Sequence, residues 1–572
     1  MTENKNFQTE FLNVSKALPA FLVLMMLFSF FNGFTQHTNI KLEKPADTKY
    51  FATPCEPSLV INPFNTDQMI AGAVLDALYT SSDGGKTWNT EVLKSTAGVE
   101  GDPCIIVDKK GCFHYFHLSN PPSGVRFSSI VHQKLESFGG GWSTGTAIGE
   151  KIKKLHDKEW AVSDMQNGNL YLSWTIFDEY KSTDAKNKTN IFFSSSTDYG
   201  TTWSKPLQVS TIAGDCKDDD NSLEGSMPVV GPAGEIYLVW VGLEKIYLNR
   251  SDDFGKTWLK KEKAIFDQRG GWRIEIPGIY RYSGFPIIQC DTTNSPRRGN
   301  LYLTWSECVP GTSHTRILFA RSKDKGESWT EPLIIGSDSL QKHSFFPWMT
   351  VDQKTGNIYI VYYDRRNFND NHTEVFLAWS DDGGNTFRDF KISESAFIPD
   401  KEMFFGDYAA VAAYNNVVRP VWTRLDGFSL SLWTAIIDMN YLGTDHSLEK
   451  RIITGEEDGL TITDSWNLED EPRKTINNIY DDWFKNIYRP ALPGFNIKMN
   501  CGDCVYAYMD VVFYISDKGK IVRYVVEKEN FCAKNADEKL KTKLLDYFLN
   551  YTFPVELRNK AVRMKLGTGL KC

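Results

Sequence analysis

The sequence predicts a mainly β protein: a β-propeller of seven four-stranded blades, with a small α/β module at its C-terminal end. A six-bladed ring with one irregular insertion is the alternative. Three observations predict it. An eight-residue pattern, S-x-D-x-G-x-[TS]-[WF], occurs five times, beginning at Ser81, Ser196, Ser251, Ser322 and Ser380. A second pattern opens seven segments with an acid, Gly or Pro, followed by an apolar strand, a turn and an aromatic strand. The composition is 13% aromatic with 42 Gly, which suits a turn-rich β protein with a large core. Self-similarity at a fixed period marks repeat architectures, in which each unit buries its apolar face on the next.

The first pattern explains itself as a tight turn between two strands. Its Asp (Asp83, Asp198, Asp253, Asp324 and Asp382) accepts N–H groups of its own turn, and its Gly supplies a positive φ. Ser and Thr hydroxyls add local bonds, and the closing aromatic buries a large face against a neighbouring unit. The pattern resembles the Asp-box (BNR repeat) of sialidases and related β-propellers. These five aspartates are structural, with carboxylates occupied by the turn, and are excluded from any active site.

The second pattern reads Glu56-Pro57-Ser58, Glu100-Gly101-Asp102-Pro103, Asp157-Lys158-Glu159-Trp160 and Glu224-Gly225-Ser226 in the first half of the array. It continues as Gly284-Phe285-Pro286, Phe345-Phe346-Pro347 and Gly406-Asp407-Tyr408. Seven openings give seven units. The second has a degenerate turn ending at Trp142, and the last has no box and is closed by a strand from before Cys55.

At 572 residues the chain exceeds one domain, and a propeller of roughly 400 residues plus a smaller module fits the size. Residues 1–36 read as a signal peptide: Lys5 and Lys16 precede an uncharged apolar run from Leu18 to Phe34, short for a membrane span. An uncleaved anchor is the alternative, and both place the propeller outside the cytoplasm, secreted or extracytoplasmic. The propeller is expected over 37–440, a linker with a short helix over 441–490, and the module over 491–572. Within these, Thr475–Tyr488 has helical periodicity ending at Pro490 and Pro493. A hairpin (Tyr506–Ile515, Ile521–Val526), a helix (Asp537–Tyr547) and a strand (Ala561–Leu566) follow. This order resembles the C-terminal domain of TonB-type energy transducers, which implies contact with an envelope protein.

Ten cysteines in an exported chain permit disulfides. Six lie in the propeller, with a connectivity that spacing does not reveal. Cys501-Gly502-Asp503-Cys504, with Cys532 and Cys572, reads as structural disulfides, since no second C-x-x-C or following His suggests a metal. No cofactor or metal is expected. A net charge of −8 gives no reason to expect a nucleic-acid partner, whose binders carry basic stripes, and none is expected.

On a propeller, the ligand face is lined by the loops entering each inner strand and those after each second strand. Acids, arginines and tyrosines converge there, including Asp102, Asp157, Glu159, Glu224, Asp407, Tyr408, Arg365, Arg366 and Arg424. The sialidase resemblance implies a Tyr nucleophile (Tyr408), a Glu base (Glu224), an Asp acid/base (Asp102) and an arginine grip on the substrate carboxylate. Arg365, Arg366 and Arg424 are the grip candidates, with Arg126 as a substitute, and Asp407, Asp157 and Glu159 complete the substrate-binding set. The chemistry is coherent: guanidinium forks match a carboxylate, and a phenol attacks an anionic sugar with less repulsion than a carboxylate does.

The chain departs from the family where Arg-Ile-Pro would precede the first box, reading Thr53-Pro54-Cys55-Glu56-Pro57; Arg273-Ile274-Glu275-Ile276-Pro277 lies mid-chain instead. Bland readings stand beside the sharp ones. Asp102 and Asp407 can cap turns, Asp218-Asp219-Asp220 can be a solvated loop, and Asp364 can pair with Arg365 or Arg366. Trp174, Trp240, Trp305 and Trp422 read as core. Two functions result: a secreted sialidase-like glycoside hydrolase acting on sialoglycans or other terminal acidic glycans, or a non-catalytic scaffold that binds glycan or protein.

Overall fold

The computed structural model describes residues 37–46, 54–336, 342–437, 451–452, 462–465, 468–494, 506–516, 519–531, 538–558 and 560–569. Residues 1–36, expected to be a signal peptide, and Cys501, Cys504, Cys532 and Cys572 lie outside these residues.

Seven antiparallel sheets form the propeller. Blades I to VI run in chain order over Cys55–Val92, Cys104–Ile148, Leu155–Gln208, Glu224–Asp267, Ile287–Ile335 and Ser344–Lys391. Blade VII takes three strands from Ala410–Ile436 and its fourth from the start of the described chain, Thr38–Leu42. That strand pairs antiparallel with Ser429–Ile436, with Leu42 opposite Leu432. The inner strands touch one another in sequence, and blade VII touches blade I, so the ring is closed.

The five repeated turns join the third and fourth strands of blades I, III, IV, V and VI. In blade I, the Thr87 N–H and hydroxyl donate to the two Asp83 oxygens at 2.9 and 2.7 Å, while Ser81 accepts the Gly85 N–H at 2.8 Å. The same bonds recur around Asp198, Asp253, Asp324 and Asp382. Two consecutive positive φ angles are needed, and the second always falls on Gly, as at Gly85 (82°) and Gly255 (82°). Four of the five closing aromatics pack on a ring of the preceding blade: Trp203 on Phe116, Trp258 on Phe193, Trp329 on Phe266, and Phe387 on Phe319. Blade VII has no such turn because its fourth strand comes from the other end of the chain. Trp174, Trp240, Trp305 and Trp422 are fully buried core residues.

The six propeller cysteines are free thiols, five of them buried, so the disulfides that export permits are not formed there. Burial also raises the thiol pKa values of Cys55, Cys104 and Cys290, which makes them inert.

The C-terminal module has a sheet in the order Ile462–Asp464, Lys560–Gly569, Tyr506–Ile515, Ile521–Phe531. Helix Asp470–Trp483 does not stop at Pro490. It passes through a π-turn at Phe484–Tyr488 and continues as Arg489–Gly494, the widened turn accommodating the amide that proline lacks. The helix expected within a linker instead packs Ile476, Ile479 and Trp483 into one core with Val511, Phe513, Leu544 and Phe548. Among the described residues, no helix is long and apolar enough to cross a membrane.

Candidate functional site

The seven openings are where the inner strands begin, and several begin with a bulge. The pairing of the first two strands shifts register between Cys55 and Ser58, Asp157 and Trp160, Glu224 and Met227, and Phe345 and Trp348. A bulge re-aims side chains at a strand end. Here the bulges place Glu56 (φ 54°), Lys158 (φ 51°) and Phe346 (φ 49°) in the left-handed region, and Asp102, just before its inner strand, adopts it too (φ 51°). Such strain costs on the order of 1 kcal/mol per residue and gathers at functional sites.

Three of those four strained residues meet. The Lys158 ammonium, from blade III, donates to Asp407 of blade VII at 2.7 Å and to Asp102 of blade II at 3.4 Å, and it pairs with Glu56 of blade I at 3.6 Å. Asp407 also accepts Arg281 Nε at 2.9 Å and the Ser283 hydroxyl at 3.0 Å, and its second oxygen pairs with Arg281 Nη2. Its own N–H donates to Glu56 at 3.0 Å. One charged cluster therefore ties four blades together at the axial mouth.

Arg281 arrives on a strap, residues 268–286, which joins blade IV to blade V. Ile274, Ile276, Ile279 and Tyr282 of the strap bury against Phe345, Phe346, Phe397 and Phe405, so it reaches across blades VI and VII. Arg365 holds it there by donating to the Pro277 carbonyl at 2.7 Å. At its near end, Arg273 donates from its amide to Asp220 and from its guanidinium to the Asp218 carbonyl, both at 2.7 Å. Tyr180 donates to the Asp218 carboxylate at 2.7 Å, completing that side of the mouth.

Burial and these charges set the proton affinities. Burial alone disfavours ionised Asp407, but the Arg281 and Lys158 cations overcome it and hold the carboxyl well below its usual range. Asp157 goes the other way. Burial, with the neighbouring Asp102 and Asp218 carboxylates, pushes it up to about 8 against the pull of Lys158 and Arg281. Asp157 as a whole residue is half-buried. Burial likewise raises Glu56, Glu159 and Glu224 well above the carboxylate range.

Several sequence-predicted site residues do not come together as expected. Tyr408 is 5% exposed and wedged between Trp160 and Trp348, with ring centroids 5.1 and 5.6 Å away. Its hydroxyl and both Glu224 carboxyl oxygens have no hydrogen-bond partner, so the expected Glu224–Tyr408 bond is absent. Burial and the Asp102, Glu56 and Glu159 charges raise the phenol pKa, the reverse of what an activated nucleophile needs. The four candidate gripping arginines are engaged elsewhere. Arg365 holds the strap and donates to Thr373 at 3.1 Å. Arg366 pairs with Asp364 and Asp389, Arg424 with Asp426, and Arg126 with Glu100. Arg126, Arg365 and Arg366 lie on the loops after the second strands of blades II and VI, and Arg424 lies near the end of the second strand of blade VII, rather than on the inner-strand openings.

The structure brings together Asp102, Asp157 and Asp407 of the candidates with Glu56 and Lys158 of the same inner-strand openings, and adds Arg281 and Asp218. Arg281 and Asp218 lie on aperiodic connections, where repeat-based reasoning has no register to transfer. The available signal was length, since a long loop between regular blades is commonly functional.

No protein-family model matches the chain, and no curated protein matches it. Among solved structures it is similar to a protein of unknown function from Dyadobacter fermentans DSM 18053, at 15% identity over 57% of this chain and 95% of that one, with a TM-score of 0.37. It is similar to the Hadza microbial sialidase Hz136 at 12% identity, over 64% of this chain and 73% of that one, with a TM-score of 0.38. It is also similar to the Trypanosoma rangeli sialidase in complex with the inhibitor DANA, at 13% identity over 85% and 68% of the two chains, with a TM-score of 0.38.

Proposed function

We propose that the protein is a glycan-acting β-propeller with a glycoside hydrolase-like centre at the axial mouth, in which Asp157 is the proton donor. The observation that carries the reading is Asp157 itself, a half-buried residue at the mouth whose carboxyl pKa is pushed up to about 8, beside an ion-paired carboxylate, Asp102. Cleaving a glycosidic bond needs a proton on the departing oxygen and a second carboxylate on the water or the anomeric carbon. In this reading Asp157 gives its proton to the leaving oxygen as the C–O bond breaks. Water adds to the anomeric carbon and its proton passes to Asp102. Lys158 and Arg281 position the carboxylates and keep Asp407 ionised.

The sialidase-like form of the reading, with Tyr408 as nucleophile and an arginine grip, finds less support, because the phenol is buried and the candidate arginines are engaged. Glycan is therefore the substrate class, and sialosides are one arm of the test. The apolar run Leu18–Phe34 supports action outside the cytoplasm, and the TonB-like order of the last domain supports contact with an envelope protein. The second reading, a non-catalytic glycan-binding scaffold, is favoured by one observation: neither Tyr408 nor Glu224 has a partner that would activate it.

The experiment is turnover of a panel of fluorogenic neutral and acidic glycosides, including an α-sialoside, by the chain from residue 37 and by its Asp157→Asn variant. Turnover lost in the variant supports the enzyme. Binding to a glycan array without turnover of any substrate establishes the scaffold. Turnover unaffected by Asp157→Asn overturns the assignment of the acid.

A further inference from the structure

The strap does more than deliver Arg281. Four of its residues, Ile274, Ile276, Ile279 and Tyr282, point into the core, and Arg281 points to the axis, but Tyr280 between them is 61% exposed. Its ring meets Phe404 of the loop before blade VII edge to face, with centroids 6.1 Å apart at 80°. The Arg281 guanidinium lies 5.0 Å over the same Phe404 ring while bonded to Asp407. The support under this pair is tight. At Gly278 an added Cβ would stand 2.9 Å from the Asn371 amide and 3.0 Å from the Pro399 carbonyl, so strap and loop are in close contact.

We infer that Tyr280 and Phe404 form a sugar-binding subsite on the lip of the mouth, taking the apolar face of a second pyranose ring of an oligosaccharide whose first ring lies at the axial carboxylates. The inference rests on the proposed glycan-acting centre. The chemistry selects the occupant: a pyranose presents an apolar C–H face and a polar rim, and the lip presents an exposed aromatic face beside a guanidinium and carboxylates. A purely apolar partner would cover the partly exposed Arg281 guanidinium without offering it a hydrogen bond. An anionic partner would meet a guanidinium already bonded by Asp407. Because the strap is anchored at both ends, the platform is preformed, and little ordering cost is added on binding.

The test uses the chain from residue 37 with a printed array of mono- to hexasaccharides, followed by titration of the best binder and of its monosaccharide. Tyr280→Ala should weaken the oligosaccharide roughly tenfold, the scale of one aromatic contact, and leave the monosaccharide unchanged. Tyr280→Trp should restore the oligosaccharide. In turnover, Tyr280→Ala should raise KM for the oligosaccharide with kcat unchanged, whereas Asp157→Asn should abolish kcat. Oligosaccharide affinity unaffected by Tyr280→Ala, with turnover still lost in Asp157→Asn, removes the lip and keeps the centre. Tyr280-dependent binding without any turnover keeps the lip and removes the catalytic reading. An array with no bound glycan, together with no turnover of any glycoside, removes both.

Discussion

Lys158 shows how one residue can hold a site and a fold at once. Its ammonium, almost wholly buried, faces carboxylates from three other blades, so the charges are compensated only while the ring is intact. Removing one partner of such a network leaves the others buried and unpaired. Asp407→Ala should therefore cost about 3–5 kcal/mol, read as a lower urea midpoint, with a smaller loss for Asp407→Asn. The sign with pH follows from the depressed Asp407 pKa: its contribution is present above its unfolded pKa near 4 and is lost as pH falls through the lower folded value. Asp157 behaves oppositely. It keeps in the folded state a proton that the unfolded chain releases, so stability declines as pH rises between about 4 and its folded value of about 8. Asp157→Asn should thus gain thermal stability relative to the native chain at pH 8 compared with pH 5. An equal difference at both pH values would contradict the raised pKa. The acids were legible because the openings repeat and their residue types stand out. Their pairing was not, since Lys158 selects Asp102 and Asp407 across the axis by backbone bulges that no local pattern encodes.

At the scale of elements, the repeated turns and the strap make a contrast. The turns are local: every bond of the Asp253 turn is closed within seven residues of chain, which is why the sequence displays it so clearly. Its acid is held down to about 2 by the Thr257 and Ser251 bonds. Asp253→Ala should cost about 1–2 kcal/mol, by analogy with lost caps, and leave activity untouched, because the turn lies at the other end of the blade from the mouth. The strap is non-local. Its anchors are Phe345, Phe397 and Arg365, from blades that come later in the chain, so nothing in residues 268–286 alone announces where it docks. Arg365→Gln should free it, and limited proteolysis between Trp272 and Ser283 should accelerate. Arg366→Gln, which disturbs the Asp364 and Asp389 pairs instead, should leave that cleavage rate unchanged. Equal rates in the two variants would place the anchor elsewhere.

The whole molecule is a ring, and a ring is stable only when its last unit is sealed to its first. The seal is the Thr38–Leu42 strand, which completes blade VII with five paired residues beside the start of blade I. Leu42 is fully buried in a cluster that spans both blades, with Leu59, Tyr79, Val421 and Leu432. The Asn39 side chain fastens the other edge by donating to the Ile392 carbonyl of blade VI at 2.7 Å and accepting the Glu394 amide at 2.9 Å. Removing residues 37–43 would expose the edge of Ser429–Ile436 and forfeit burial of Leu42, itself about 1.5–3 kcal/mol, besides the paired backbone. The loss should also reach the site, because Asp407 in blade VII and Glu56 in blade I hold their geometry across this seam. A chain beginning at Lys44 should therefore melt well below one beginning at residue 37 and bind glycan more weakly. Adding a synthetic peptide of residues 37–43 should recover part of both. If the shortened chain melts and binds as the longer one does, the ring closes without its N-terminal strand, and the charge cluster rather than the strand is what joins blade VII to blade I.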